Sequence, residues 1–431
     1  MLTASLGFLA AFVLIFFRVP IVIALSVVGF AGFAIVTGFT PALTMLAFAA
    51  KNSSMSYTLS VIPLFVLMGN FIAGAGISGD LFRAAQVSIG RRRGGLAMAT
   101  VLSCGGFAAV CGSSVATALT MGKVAIPSMR KMGYSDALST ASVAAGGTLG
   151  VLIPPSVIMV IYGIATETHI GKLFAGGIIP GLIAILGYFA VIQWTTWRNP
   201  EAGAPSAPSS KSERFEAYKR VWAVVVLFGV VLGGIYGGLF TATEAAGIGA
   251  FGAFLFAWQR GHLSVARLYA ILMDTLETSA AMFALILGAL VFGEFINLTG
   301  ADRQIVALVS DGGLSPAMVI FIIIVIYVIL GCLLESISMM LLTLPLFFPV
   351  IVELGYDPVW FGILVVMLVE LGLITPPLGV NLFIIKAVVP DVPLSTTIRG
   401  VIPFIVSDLA RVALIAIFPA IVLLLPNFLF N

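Results

Sequence analysis

Two Pro-Pro pairs interrupt apolar runs long enough to cross a membrane, one in GVLIPPSV (residues 150–157) and one in GLITPPLGVN (residues 372–381). Proline has no backbone N–H, so a helix through Pro154 and Pro155 leaves the carbonyls of Gly150 and Val151 without their usual donors. Pro376 and Pro377 do the same to Gly372 and Leu373. In hydrocarbon each orphaned group costs on the order of several kcal/mol, so something must bind those oxygens. For one isolated proline a kink, with a hydroxyl side chain or a water on the carbonyl, is a sufficient reading. Two pairs in matching register ask for more.

The rest of the chain leaves no soluble alternative. Of its 431 residues 61% are hydrophobic and 9% charged, with a mean hydropathy of +1.18, well outside the range of soluble domains. Residues 2–17, 21–38, 58–76, 173–192, 221–240, 245–258, 279–296 and 401–426 read as spans of roughly 20 residues. The expected fold is an all-α polytopic membrane protein. No basic residue precedes the first apolar run and no small-x-small cleavage pattern follows it, so that run reads as a retained helix. Cys104, Cys111 and Cys332 lie in apolar segments without C-x-x-C spacing and read as small buried hydrophobes.

Lysine and arginine cluster in alternate loops, and one topology puts most of them on the cytoplasmic side, leaving only Lys51, Lys172 and Arg303 outside and Lys123 and Arg411 within or near spans. It makes both termini external. Residues 198–220, RNPEAGAPSAPSSKSERFEAYKR, form the one long polar stretch and read as a cytoplasmic linker between a first half, 1–197, and a second half, 221–431. The basic stretch GDLFRAAQVSIGRRR reads as an interfacial amphipathic helix.

The halves are related. A shift of 222 positions superposes Ser114 on Ser336, Pro127 on Pro349, Gly133-Tyr134 on Gly355-Tyr356, Leu149-Gly150 on Leu371-Gly372, and one Pro-Pro pair on the other. Earlier, GNFIAGAG at Gly69 matches GEFINLTG at Gly293. The segment from Gly94 to Met129 is flanked by Arg91, Arg92, Arg93, Arg130 and Lys131. Its counterpart is flanked by Asp302, Arg303, Asp311, Glu353 and Asp357, so the copies point in opposite directions through the membrane. Each copy, about 94–131 and 313–354, carries a polar break near its middle, CGSS and LESIS. A re-entrant hairpin suits such a tip better than two full spans, because polar backbone at mid-depth survives only inside protein or beside a wet cavity. Broken helices follow at about 135–165 and 357–387. Inverted repeats with discontinuous helices are the architecture of secondary transporters, with the site near the midplane.

Hard cations take carbonyl and hydroxyl oxygens. A first Na+ site would draw on Ser113 and Ser114, and on Gly150 and Val151 at the break, with Thr117 nearby. A second would draw on Glu335, Ser336 and Ser338, facing Gly372, Leu373 and Thr375. Helix halves aiming N–H groups between the tips suit an anionic substrate. Thr117, Pro154, Pro155, Ser156, Glu370, Pro376, Pro377 and Asn381 are the candidates for lining its cavity. Glu335 and Glu370 are the deep carboxylates and hence functional candidates, whereas Asp274, Glu277 and Glu294 lie near span ends.

The run CGSSVATALTMGKVAIPSMRKMGYSDALSTASVAAGGTLGVLIPPSVIMVIYG, the later GLFTATEAAGIGA, and FGILVVMLVELGLITPPLGVNLFII together resemble the large membrane subunit of tripartite ATP-independent periplasmic (TRAP) transporters, over nearly the whole chain. The resemblance implies a sodium-driven, elevator-type importer of the ion transporter superfamily in the bacterial inner membrane. It also implies organic anions delivered by a periplasmic binding protein, and a small four-helix membrane subunit, here a separate polypeptide. The family's second tip often carries aspartate where Glu335 stands. No cofactor is implied beyond Na+ as the coupling ion. Among other classes, an ion channel would show neither saturation nor ion coupling. GISG at Gly76 matches an intramembrane serine hydrolase motif, but neither His169 nor His262 lies in an apolar run to serve Ser78 as base. No P-loop motif is present.

Overall fold

The structure, a computed structural model, describes residues 2–261, 263–311 and 315–430. His262, the side chains of Asp302 and Asp311, and the start of the second hairpin at residue 313 lie outside the described residues. All regular structure among the described residues is helical. The first half runs α1 (Leu2–Phe16), α2 (Ile21–Thr37), α3 (Phe39–Met55), α4 (Val61–Gly74), α5 (Ile77–Ile89), α6 (Gly95–Cys111), α7 (Ser114–Lys131), α8 (Asp136–Leu152), α9 (Val157–Ala165) and α10 (Ile170–Arg198). The second runs α11 (Lys211–Tyr236), α12 (Ala242–Gln259), α13 (Val265–Thr299), α14 (Ala301–Asp311), α15 (Pro316–Gly331), α16 (Ser336–Glu353), α17 (Pro358–Gly372), α18 (Val380–Val388), α19 (Leu394–Ile417) and α20 (Ala420–Phe430). Among the described residues, seven helical stretches are long and apolar enough to cross a membrane. The chain is a multi-pass membrane protein.

The short helices occupy the middle. Every residue of 138–152 in α8 and of 359–372 in α17 is buried, which explains why these segments read as unbroken apolar and small runs with no polar face. α8 packs on α6, α7 and α19, and α17 on α15, α16 and α19, with α8 and α17 touching each other. Two turns repeat in register: Gly133 and Gly355 stand between α7 and α8 and between α16 and α17 with φ of +76° and +80°, a left-handed conformation that glycine adopts without strain. Both Pro-Pro peptides, Pro154-Pro155 and Pro376-Pro377, are cis.

Two stretches differ from their sequence reading. Residues 401–426 are two helices, because Pro419 cannot supply an N–H and Phe418 before it is extended, at φ −121° and ψ 75°. Residues 211–220 are the first turns of α11, started by a capping box in which Ser210 and Glu213 satisfy each other's backbone N–H groups. The basic stretch after Gly76 forms α5, which buries Phe82, Ala85 and Val87 and joins α12 through Asp80 and Arg260, 2.5 Å apart. The three cysteines are free.

Around the middle lie longer helices in close contact. On α2, a Cβ at Gly29 would come within 2.7 Å of the Phe292 backbone of α13. Gly29→Ala therefore has to push backbone from backbone, and the expected cost is about 1–3 kcal/mol, read as a lower melting temperature of the detergent-solubilised protein. Gly79→Ala, with nothing within 4 Å of its added methyl, is the matched control and is expected to leave that temperature unchanged or raise it.

Candidate ion and substrate site

At the first break α8 stops at Leu152 and α9 starts at Val157. The tip joining α6 to α7 rests directly on it: a Cβ at Gly150 would lie 2.9 Å from the carbonyl carbon and oxygen of Ser113 and 3.1 Å from Ser114 N. Only glycine permits that approach. Gly112, at φ +62°, turns the chain out of α6 beside the Pro155 carbonyl. Val151 O, expected to be free, accepts a hydrogen bond from Ser156 Oγ at 2.5 Å. Gly150 O, whose usual donor position is taken by Pro154, accepts no hydrogen bond among the described residues. At the tip, Ser113 Oγ caps α7 by accepting from Ala116 N at 3.3 Å, and Thr117 Oγ1 donates to Ser113 O at 2.7 Å.

The second break repeats this with different partners. Gly372 packs on Gly331 at the end of α15, where a Cβ would meet the Gly331 Cα and carbonyl oxygen at 2.9 Å. Leu373 O accepts from Asn381 N at 3.0 Å, Leu371 O accepts from Thr375 Oγ1 at 2.6 Å, and Gly372 O has only a long contact with Thr375 N at 3.4 Å. Glu335 caps α16, accepting from Ile337 N, Ser338 N and Ser338 Oγ at 3.2, 3.1 and 2.9 Å. Val151 O and Leu373 O thus each have a donor already and offer only a second lone pair.

Against this background one matched pair stands out. Ser114 and Ser336, register equivalents, are 8% and 7% exposed, and neither hydroxyl makes a hydrogen bond among the described residues. Both line one cavity of about 470 Å³, together with Ser113, Glu335, Val151 and Leu373, a volume within the range of ligand sites, ~300–1,000 Å³. A smaller recess of about 200 Å³ lies between Gly331, Glu335, Ser336 and Gly372. Asn70 of α4 and Thr278 and Met282 of α13 also line the larger cavity.

The other cavity candidates sit elsewhere. Thr117, Pro154, Pro155, Ser156 and Asn381 are buried in the packing beneath the tips, and Pro376 and Pro377 lie outside both cavities. Asn381 ties α18 to α8, its Nδ2 donating to Ala144 O at 3.1 Å. Glu370 faces inward, away from the cavity, into a cluster that sequence reasoning passed over. Its Oε1 accepts from Thr148 Oγ1 at 2.8 Å and its Oε2 from Arg411 Nη2 at 2.8 Å. The same nitrogen donates to Asp408 Oδ1 at 2.9 Å, and Asp408 Oδ2 accepts from Tyr188 OH at 2.7 Å. Glu370, Asp408 and Arg411 side chains are 0%, 1% and 2% exposed, so helices α8, α10, α17 and α19 meet at a buried ionic knot. The available signal was Asp408 and Arg411 spaced i, i+3 inside an apolar run.

The sequence matches the family described as Tripartite ATP-independent periplasmic transporter, DctM component, over residues 8–421. The chain belongs to this family. It is 37% identical over 403 residues to the C4-dicarboxylate TRAP transporter large permease protein DctM of Pseudomonas aeruginosa, across 91% of this chain and 94% of that one. It is 33% identical over 416 residues to the isethionate TRAP transporter permease protein DctMQ of Oleidesulfovibrio alaskensis, across 96% of this chain and 65% of that one. Among solved structures, MtrF of Neisseria gonorrhoeae superposes with a TM-score of 0.63 at 17% identity, over 88% of this chain and 84% of that one, which shows the fold. The protein is therefore a TRAP large permease, a transporter subunit for organic substrates and not an enzyme.

In this TRAP permease, removing Arg411 strands two carboxylates in a fully buried position. Arg411→Leu is expected to destabilise the protein by about 3–5 kcal/mol. Thermal unfolding in detergent checks this, and an unchanged melting temperature would show that the knot carries no net stability.

Proposed function

We propose that this permease is the transport subunit of a sodium-coupled importer of organic anions, carboxylates among them, in the bacterial inner membrane with both termini in the periplasm. The anion comes from a periplasmic binding protein, and a small four-helix membrane subunit completes the complex. The fused-type name of the isethionate relative and its greater length are consistent with such a partner. The hairpins α6–α7 and α15–α16 and the broken helices α8–α9 and α17–α18 move together as an elevator against a scaffold of the remaining helices.

The observation that carries this reading is the pair Ser114 and Ser336. Two buried hydroxyls without partners among the described residues, at equivalent positions, stand beside breaks whose Gly150 and Gly372 carbonyls lack a good donor there. The donor set is all oxygen, which suits a hard monovalent cation. Na+ would be held by Ser113, Ser114 and the Gly150 and Val151 carbonyls at one tip. At the other it would be held by Ser336, the Gly372 and Leu373 carbonyls and the Glu335 carboxylate, with Ser338 and Thr375 holding neighbouring groups in place. A cation bound at both tips would offset the Glu335 charge and draw an anion into the shared cavity. That ordering makes anion affinity depend on sodium.

Uptake into proteoliposomes holding both membrane subunits, with loaded binding protein outside, tests the proposal. Ser114→Ala and Ser336→Ala are each expected to raise the sodium concentration for half-maximal uptake by roughly tenfold, the loss of one ligand worth ~1.4 kcal/mol. Unchanged sodium dependence in both variants would sink the assignment.

A further inference from the structure

Beside the first tip the cavity carries a polar group with a fixed orientation. A Cβ at Gly69 would lie 2.8 Å from Cys111 O, so α4 approaches the end of α6 backbone to backbone, and the next residue, Asn70, reaches the cavity. Asn70 Nδ2 donates to Thr275 Oγ1 of α13 at 2.9 Å. The single proton of that hydroxyl goes to Ile271 O at 2.7 Å, so Thr275 can only accept from Asn70. The amide is thereby held with its nitrogen on Thr275. Its oxygen accepts no hydrogen bond among the described residues. Thr278, one turn along α13 and lining the same cavity, likewise has an unpaired hydroxyl among the described residues.

The two tips are unequal. The N-terminus of α7 is capped by the neutral Ser113 and keeps its positive end, whereas that of α16 is capped by the carboxylate of Glu335, which offsets it. The acidic end of an anion belongs by the α7 tip, the side on which Gly69 meets Cys111, so a hydroxyl carried next to that end comes within reach of Asn70. We propose that Asn70, oriented by Thr275, is a specificity-determining residue that accepts a hydrogen bond from a hydroxyl group on the substrate, so that the permease favours hydroxylated organic anions over their deoxy counterparts. The proposal rests on the organic-anion reading above. It places selectivity on α4 and α13, which belong to the scaffold, so it operates only while the tips face those helices.

Initial rates of sodium-driven uptake by the complete complex, with its binding protein, are compared for malate against succinate and isethionate against ethanesulfonate. Selection by the binding protein enters wild type and variant alike, and it cancels when their kcat/KM ratios are divided. Asn70→Ala is expected to lower the hydroxylated-to-deoxy ratio by roughly tenfold, one unmade hydrogen bond of ~1.4 kcal/mol. Asn70→Ser, which restores an acceptor, is expected to recover part of it. Thr275→Val, which frees the amide without touching the cavity, is expected to shift the ratio the same way by a smaller factor. Ratios unchanged in Asn70→Ala, or a fall in rate equal for both members of each pair, would overturn the assignment. A wild-type complex that takes up none of the four anions with sodium would instead overturn the reading beneath it.

Discussion

A helix that stops inside the protein must hide the backbone groups it leaves unpaired, and the centre of this permease is arranged around that requirement. The two breaks meet it differently. At the first, the side chain of Ser156 reaches back to Val151 O. At the second, the backbone N–H of Asn381 folds onto Leu373 O while Thr375 serves Leu371 O. In both, a glycine on the broken helix lets a hairpin come to backbone distance, Gly150 under Ser113 and Gly372 against Gly331. Neither glycine tolerates a methyl group without moving backbone, so tip and break are coupled sterically before any ion is considered.

Much of this was legible because prolines and glycines are position-specific. The Pro-Pro pairs marked the breaks and the Gly-Tyr pairs helped fix the register that joins them, while the left-handed turn at each of those glycines came from the structure. Side-chain partners across the fold were not legible. That Ser156 would take Val151 O depends on the path of residues 153–156, and nothing in a one-dimensional pattern separates that outcome from a free carbonyl. Glu370 illustrates the same limit. Its depth was evident from the apolar run around it, but its direction was not, since α17 is buried on all sides and has no polar face to orient it. Asn70 drew notice only as part of a matching octapeptide. Its hydrogen bond to Thr275 spans 205 residues, a separation that periodicity does not see.

The ionic knot bears on how the two halves meet. Thr148 and Glu370 are 222 positions apart and touch, which is the repeat offset itself. Tyr188 and Asp408, 220 apart, also touch. Contact between equivalent residues is expected only close to an axis relating the halves, because away from it equivalents diverge. There the sequence is constrained twice over, since each side chain must fit its own counterpart. Glutamate in both copies would bring two carboxylates together, and threonine in both would leave Arg411 without one of its two partners. The pairing of a hydroxyl with a carboxylate resolves this.

That asymmetry extends outward to the tips. The first half caps its tip with serine and the second with glutamate, so the dipole of α7 is exposed to the cavity while that of α16 is answered by a carboxylate. Related halves would by themselves give a cavity with two equal ends. One acidic residue at a cap makes the ends chemically distinct, so on the organic-anion reading proposed above a bound anion has a preferred direction. Orientation of the substrate then follows from which helix is left with an uncompensated N-terminus. On the proposal made above, Asn70 beside the α7 tip only has to read what the anion carries next to its acidic end.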